Sequence, residues 1–147
     1  PTELDDEVGA RMVEIGGEFG TVTGRRRRCG WLDMVALRYA VRVGGITELA
    51  IMKLDVLSGF DPVRNGTAYE ANGERFDDFP RQQRVLYGCT PVYEDHEGWE
   101  EDITGVRSMK DLPAAARRFL ARIEELAGVP VTMVSVGPDR AATFLPS

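Results

Sequence analysis

Leu112, Ala116, Phe119, Ile123 and Leu126 recur at three- and four-residue intervals, which places them on one face of a helix. Asp111 is a candidate cap for that helix, Pro113 suits its first turn, and Gly128 stops it. Val131 to Val136 follows at once as an apolar strand and gives way to Gly137-Pro138-Asp139-Arg140. A helix feeding directly into a strand buries its apolar stripe against a sheet, so the chain is constrained to an α/β unit. Leu49-Ala50-Ile51-Met52, bounded by polar residues, has the pattern of a strand covered on both faces, as in a parallel sheet. Leu4, Val8, Met12 and Ile15 predict an amphipathic helix stopped by Gly16-Gly17. Residues 32 to 43 are apolar on nearly every side, which predicts a helix buried on most of its surface and ended by Gly44-Gly45. Weaker strand signals lie at 63 to 69 and 90 to 93, and the stretch between them, with Asn72-Gly73 and Pro80, reads as loop. The order of strands between 60 and 105 is left open by the pattern.

At 147 residues the chain suits one core, with no repeat or linker to divide it. No apolar run approaches the roughly 20 residues of a bilayer span. Eighteen basic against 24 acidic side chains give a net charge of −6, which argues against a general nucleic-acid binder. Any anion site must therefore be local. Cys29 and Cys89 lie far apart without a CxxC pair, so neither a zinc ribbon nor a disulfide scaffold is expected. The opening Pro1-Thr2-Glu3-Leu4 has neither an initiator methionine nor a leader pattern, and the chain is expected to be part of a longer protein. His96, the only histidine, stands among acids without metal-ligand spacing. A hydrated surface loop is its simpler reading, and it is given no catalytic role. With no GxSxG and no GxxxxGK[ST], any nucleotide phosphates must be held by another part of the protein.

Two places carry candidate chemistry. In open α/β sheets ligands collect outside the carboxyl ends of strands, where Lys53-Leu54-Asp55 and Ser135-Val136-Gly137 are both placed. A carboxylate there can accept two parallel hydrogen bonds from guanine's ring N–H and exocyclic amine, a donor pair that adenine lacks. The aliphatic stem of Lys53 can lie against the flat ring. Lys-x-Asp alone is short enough to arise by chance, and a solvated Lys53–Asp55 ion pair is its simpler reading. The segment Glu18-Phe19-Gly20-Thr21-Val22-Thr23-Gly24-Arg25-Arg26-Arg27-Arg28 is more demanding. Glycines admit a ligand close to the backbone, hydroxyls and free N–H groups hold a carboxylate, and guanidinium forks bind carboxylate or phosphate. The combination points to a small acidic substrate, with a solvated basic turn or a nucleic-acid patch as the bland alternatives.

Four segments together resemble the carboxyl-terminal part of the adenylosuccinate synthetase family: Pro1-Thr2-Glu3-Leu4, Gly20 to Arg28 with Gly30-Trp31-Leu32-Asp33, Lys53-Leu54-Asp55-Val56-Leu57, and Gly137-Pro138-Asp139-Arg140. Their order and separations are family-like across essentially the whole chain. The resemblance implies a partial three-layer α/β sheet of the P-loop NTPase-like type, lacking the phosphate loop, with residues 1–147 forming the carboxyl-terminal part of a catalytic domain. It implies a GTP-dependent ligase that phosphorylates the oxygen of inosine monophosphate (IMP) and lets the amine of L-aspartate displace that phosphate, forming adenylosuccinate in purine nucleotide biosynthesis.

By the same resemblance, Thr21, Val22, Thr23, Gly24, Arg25, Arg26 and Arg27 receive the aspartate, and Arg25 also reaches IMP. Arg27, Lys53, Leu54, Asp55, Ser135, Val136 and Gly137 serve GTP. Val22 departs from the family, which often has a second threonine there, so a hydroxyl contact is lost while the N–H remains. The catalytic aspartate and histidine, the phosphate loop and the Mg2+ ligands belong to the amino-terminal part, so no catalytic or metal-binding residue is expected here and the chain alone is expected to be inactive. Full-length members are cytoplasmic and generally dimeric, with no nucleic acid or membrane among their partners. The alternative is a stand-alone guanine-nucleotide or anion-binding module without catalysis.

Overall fold

The computed structural model describes residues 1–146. Helix α1 (Glu7–Gly16) starts at Asp6, whose carboxylate accepts the Gly9 N–H at 2.9 Å, and it buries Met12 and Val13. After the loop that follows it come β1 (Leu32–Asp33) and α2 (Met34–Gly44). Asp33 is both the end of β1 and the cap of α2: one carboxylate oxygen accepts the Ala36 N–H and the other the Tyr69 hydroxyl at 2.6 Å. That junction pins α2 to the strand that carries Tyr69. The remaining elements are β2 (Leu49–Ile51), a 3-10 turn at Leu54–Leu57, β3 (Val63–Ala71), β4 (Glu74–Phe76), α3 (Gln83–Tyr87), β5 (Thr90–His96), α4 (Ala114–Ala127), β6 (Val131–Ser135) and β7 (Thr143–Phe144).

Two small sheets result. In the first, β3 is central: β1 pairs with it in parallel, β4 antiparallel near its far end, and β5 antiparallel along most of its length. In the second, β2 and β6 run parallel, with Ile51 opposite Val134, and β7 closes antiparallel on β6. The fold is therefore mixed α/β, as the helix-to-strand pattern predicts. Ala116, Phe119, Leu120 and Ile123 of α4 are buried in the core with Met34, Leu54, Val63, Ile103 and Val134. No helix among the described residues is long and apolar enough to cross a membrane.

Several expectations are corrected. Helix α2 is not buried on most of its surface: only Met34 and Val35 are, because it has β3 and α4 on one side alone, and Tyr39 and Val43 are exposed. Strand β2 is not covered on both faces: Ala50 and Met52 face solvent because no layer among the described residues packs over them. Asp111 does not cap α4. It accepts the Ser108 hydroxyl at 2.6 Å inside its own 3-10 turn, and Pro113 holds the N-cap position without a side-chain bond. The stretch read as loop contains β4 and α3, and Asn72-Gly73, with φ of 54° and 79°, is a tight hairpin turn between β3 and β4. His96 is not in a hydrated loop but ends β5, half-buried, with Nε2 3.2 Å from the Asn65 amide nitrogen and its ring edge-on to Phe119.

Candidate functional site

The glycine- and arginine-rich segment folds as a hairpin. The Arg27 N–H donates to the Glu18 carbonyl at 2.9 Å, the Gly20 N–H to Arg25 at 2.8 Å, and Phe19 and Arg26 face each other across the ladder. Gly24, at φ 64°, turns the chain where a side chain would be strained, and its N–H closes onto the Gly20 carbonyl at 2.8 Å. The tip is Thr21, Val22 and Thr23, with Val22 96% exposed. Among the described residues, the N–H groups of these three make no hydrogen bond within the protein. Three free amides on a tight turn, followed by guanidinium groups, are hydrogen-bond donors left available to an anion.

The four arginines separate by what holds them. Arg28 is tied by two hydrogen bonds to the Glu3 carboxylate, which its guanidinium pulls below the usual carboxylate pKa. Arg25 and Arg26 stand exposed, without an ion pair among the described residues. Arg27 donates from Nη1 to Glu18 Oε2 at 2.9 Å. The other oxygen of Glu18 accepts from Lys53 Nζ, which also donates to the Gly16 carbonyl. Hydrogen bonds from Lys53 and then Arg27 lower the Glu18 pKa, so it stays ionised.

Lys53 sits just past the carboxyl end of β2 at φ 61°, in the left-handed region a lysine rarely adopts. The solvated Lys53–Asp55 ion pair does not form, because the lysine ammonium is taken by Glu18 and Gly16. Asp55, in the turn that follows, keeps one carboxylate oxygen buried with no hydrogen-bond partner. A buried unpaired acceptor costs about 1–3 kcal/mol, and such an atom in a native structure calls for a reason.

Because β2 and β6 are parallel neighbours, the segment after β6 emerges beside that turn. Ser135 is 1% exposed and its hydroxyl donates to the Gly137 carbonyl at 2.9 Å, which fixes the bend. Val136 is buried, and its N–H donates to Ala142 at 3.0 Å, so its side chain belongs to the core. Leu54 is buried likewise. What these two residues offer outward is backbone only.

A cleft of about 530 Å3 runs between α1, the hairpin base and β2, and its lining includes Glu18, Arg27, Trp31 and Lys53. The structure thus joins Arg27, Lys53 and Leu54 in one cavity. Thr21 to Arg26, Asp55 and Ser135 to Gly137 are not among its lining residues. Cys29 also lines the cleft, but burial pushes its thiol pKa up, against a thiolate nucleophile. Among the described residues, no group of three or more His, Cys, Asp or Glu side chains is arranged to hold a metal ion. The residue that sequence reasoning missed is Glu18. The signal was there in a lone acid at the head of a cationic segment.

Comparison with known proteins bears on the whole chain. A family model described as adenylosuccinate synthetase matches residues 1–144. Curated relatives named adenylosuccinate synthetase from Lactobacillus johnsonii and Desulfatibacillum aliphaticivorans are each 56% identical over 145 residues, covering 99% of this chain and 34% of their own length. A solved structure of fully ligated adenylosuccinate synthetase from Plasmodium falciparum superposes with a TM-score of 0.94 at 34% identity, over 99% of this chain and 35% of that one. The chain therefore spans about a third of the length of the relatives it matches.

Proposed function

The chain belongs to the adenylosuccinate synthetase family, and from that premise we propose that it is the carboxyl-terminal part of a GTP-dependent ligase joining IMP and L-aspartate into adenylosuccinate, with release of GDP and phosphate. Its share of the work is recognition. The hairpin from Thr21 to Arg27 takes the aspartate carboxylates on free amides and guanidinium forks, and Arg25 also reaches IMP. Lys53, Leu54 and Asp55 on one side and Ser135, Val136 and Gly137 on the other enclose the guanine, with Arg27 between the two substrates. The amino-terminal part completes a three-layer sheet of the P-loop NTPase-like type, brings the phosphate loop and the groups that move the phosphoryl, and supplies the Mg2+ ligands.

The observation that carries the proposal is Asp55. Its buried, unpartnered carboxylate oxygen sits at the carboxyl edge where β2 ends next to β6, which is where a parallel sheet accepts a ligand. Guanine's two adjacent N–H donors are the complement of a carboxylate. A solvated surface acid would leave neither oxygen buried. The test is turnover by the full-length protein: adenylosuccinate and GDP should form together and only when IMP, aspartate and GTP are all present. Formation of neither product by a folded protein would remove the proposal. A full-length homodimer is part of the same reading, checked by mass in solution.

A further inference from the structure

Glu18 stands where the two recognition segments meet, and it touches both. Its Oε2 accepts from Arg27 Nη1 at 2.9 Å, and its Oε1 accepts from Lys53 Nζ. Its backbone carbonyl also closes the hairpin through the Arg27 N–H. The carboxylate side chain is only 20% exposed, against 56% for Arg27 and 47% for Lys53, so the anion is the inner member of the cluster. We propose that Glu18 is a positioning residue that couples the aspartate loop to the guanine-reading turn. The proposal rests on the reading above, in which those two segments serve aspartate and GTP.

Three consequences of the geometry carry it. First, guanidinium has five N–H donors and Glu18 engages one nitrogen, so the fork of Arg27 is fixed in direction while its other donors stay free for a substrate. Second, drawing the Lys53 ammonium onto Glu18 and Gly16 leaves the four-carbon stem as an apolar wall, which suits a flat base better than a solvated charge does. Lys53 also keeps a left-handed backbone conformation at φ 61°, one that persists only where its surroundings over-determine it, and these two bonds are part of those surroundings. Third, one anion between two cations lowers their mutual repulsion in a partly closed cleft. Both cations are thereby placed before any ligand arrives.

The test uses the full-length protein and the substrates aspartate, GTP and IMP. Glu18→Gln keeps the shape but has a single acceptor oxygen, so it serves one cation and presents an amide donor to the other. Weakening these charge-assisted bonds should raise KM for aspartate and KM for GTP together, on the order of tenfold each, while KM for IMP and kcat change by less than about threefold. A merely structural role would lower thermal stability without that split. In the Arg27→Leu background Glu18→Gln should add nothing to the aspartate KM, and in the Lys53→Met background nothing to the GTP KM. Glu18→Asp, which keeps the charge on a shorter arm, should fall between wild type and Gln, and it supplies the comparison if Gln impairs folding. A rise for one substrate only, wild-type constants, or full additivity in both backgrounds would overturn the positioning role. Absence of turnover by the wild-type protein would instead strike at the proposed function itself.

Discussion

Replacing Asp55 by asparagine in the full-length protein exchanges one carboxylate oxygen for an amide donor at an unchanged size. One Asp55 oxygen is buried and accepts no hydrogen bond from the protein. The substitution therefore breaks no internal hydrogen bond at that atom, and ligand-free unfolding should shift by no more than about 0.5 kcal/mol, as for a substitution away from any stabilising contact. Against guanine the effect is large, because the new amide faces the exocyclic amine, donor against donor. Losing one charge-assisted bond costs about 1.5–3 kcal/mol, on the order of a ten- to hundredfold fall in kcat/KM for GTP. Xanthine carries a carbonyl in place of that amine, so xanthosine triphosphate should recover most of the loss. Melting reports the same energetics without turnover: a nucleotide at one hundred times its Kd stabilises by about 2.7 kcal/mol, and a tenfold weaker Kd at the same concentration leaves about 1.4 kcal/mol. The assays are kcat/KM with each nucleotide and thermal unfolding with and without GTP. Equal losses with both nucleotides, or a ligand-free destabilisation above about 1 kcal/mol, would show that Asp55 is a structural residue.

Arg27→Leu should weaken use of aspartate strongly, whereas Arg28→Leu, which removes only the surface pair with Glu3, should do much less; aspartate titrations at fixed GTP and IMP, repeated at raised salt, distinguish a direct ligand from a screened steering patch. Residues 1–147 purified alone should form no adenylosuccinate, and supplying the amino-terminal part should restore it; turnover by the rigorously purified chain would contradict the division of labour. Burial lowers the His96 pKa in the folded chain, against the opposing pull of Glu94. The unfolded chain therefore binds the proton first, so stability should be full above the ordinary histidine pKa of about 6.5 and fall as pH drops below it. Chemical denaturation from pH 8 to 5 checks this, and His96→Phe should flatten that part of the profile.

The structure shows why some elements were legible and others were not. Helix α4 declares itself because its apolar stripe, its Gly128 stop and the strand behind it are all local features. The burial of α2 and β2 was overestimated for one reason: an apolar composition reports what a segment can bury, not whether this chain supplies the covering layer. Strand β4 and helix α3 were hidden because short elements carry too few periods for a pattern, although Asn72-Gly73 was a usable hairpin signal. In the candidate site, the hairpin and the two carboxyl-end segments were visible as motifs. Their convergence depends on the parallel pairing of β2 with β6, which spans some eighty residues and leaves no local mark. Glu18 escaped because its role is defined by partners nine and 35 residues away.

The most direct measurement is the structure of the full-length protein with GDP, IMP and an aspartate analogue bound. Guanine's ring N–H and exocyclic amine should each lie within about 2.7–3.2 Å of an Asp55 carboxylate oxygen, with the analogue's carboxylate on the amides of Thr21 to Thr23 and the fork of Arg27. A guanine bound away from Asp55, or an analogue that leaves the hairpin empty, would contradict the account.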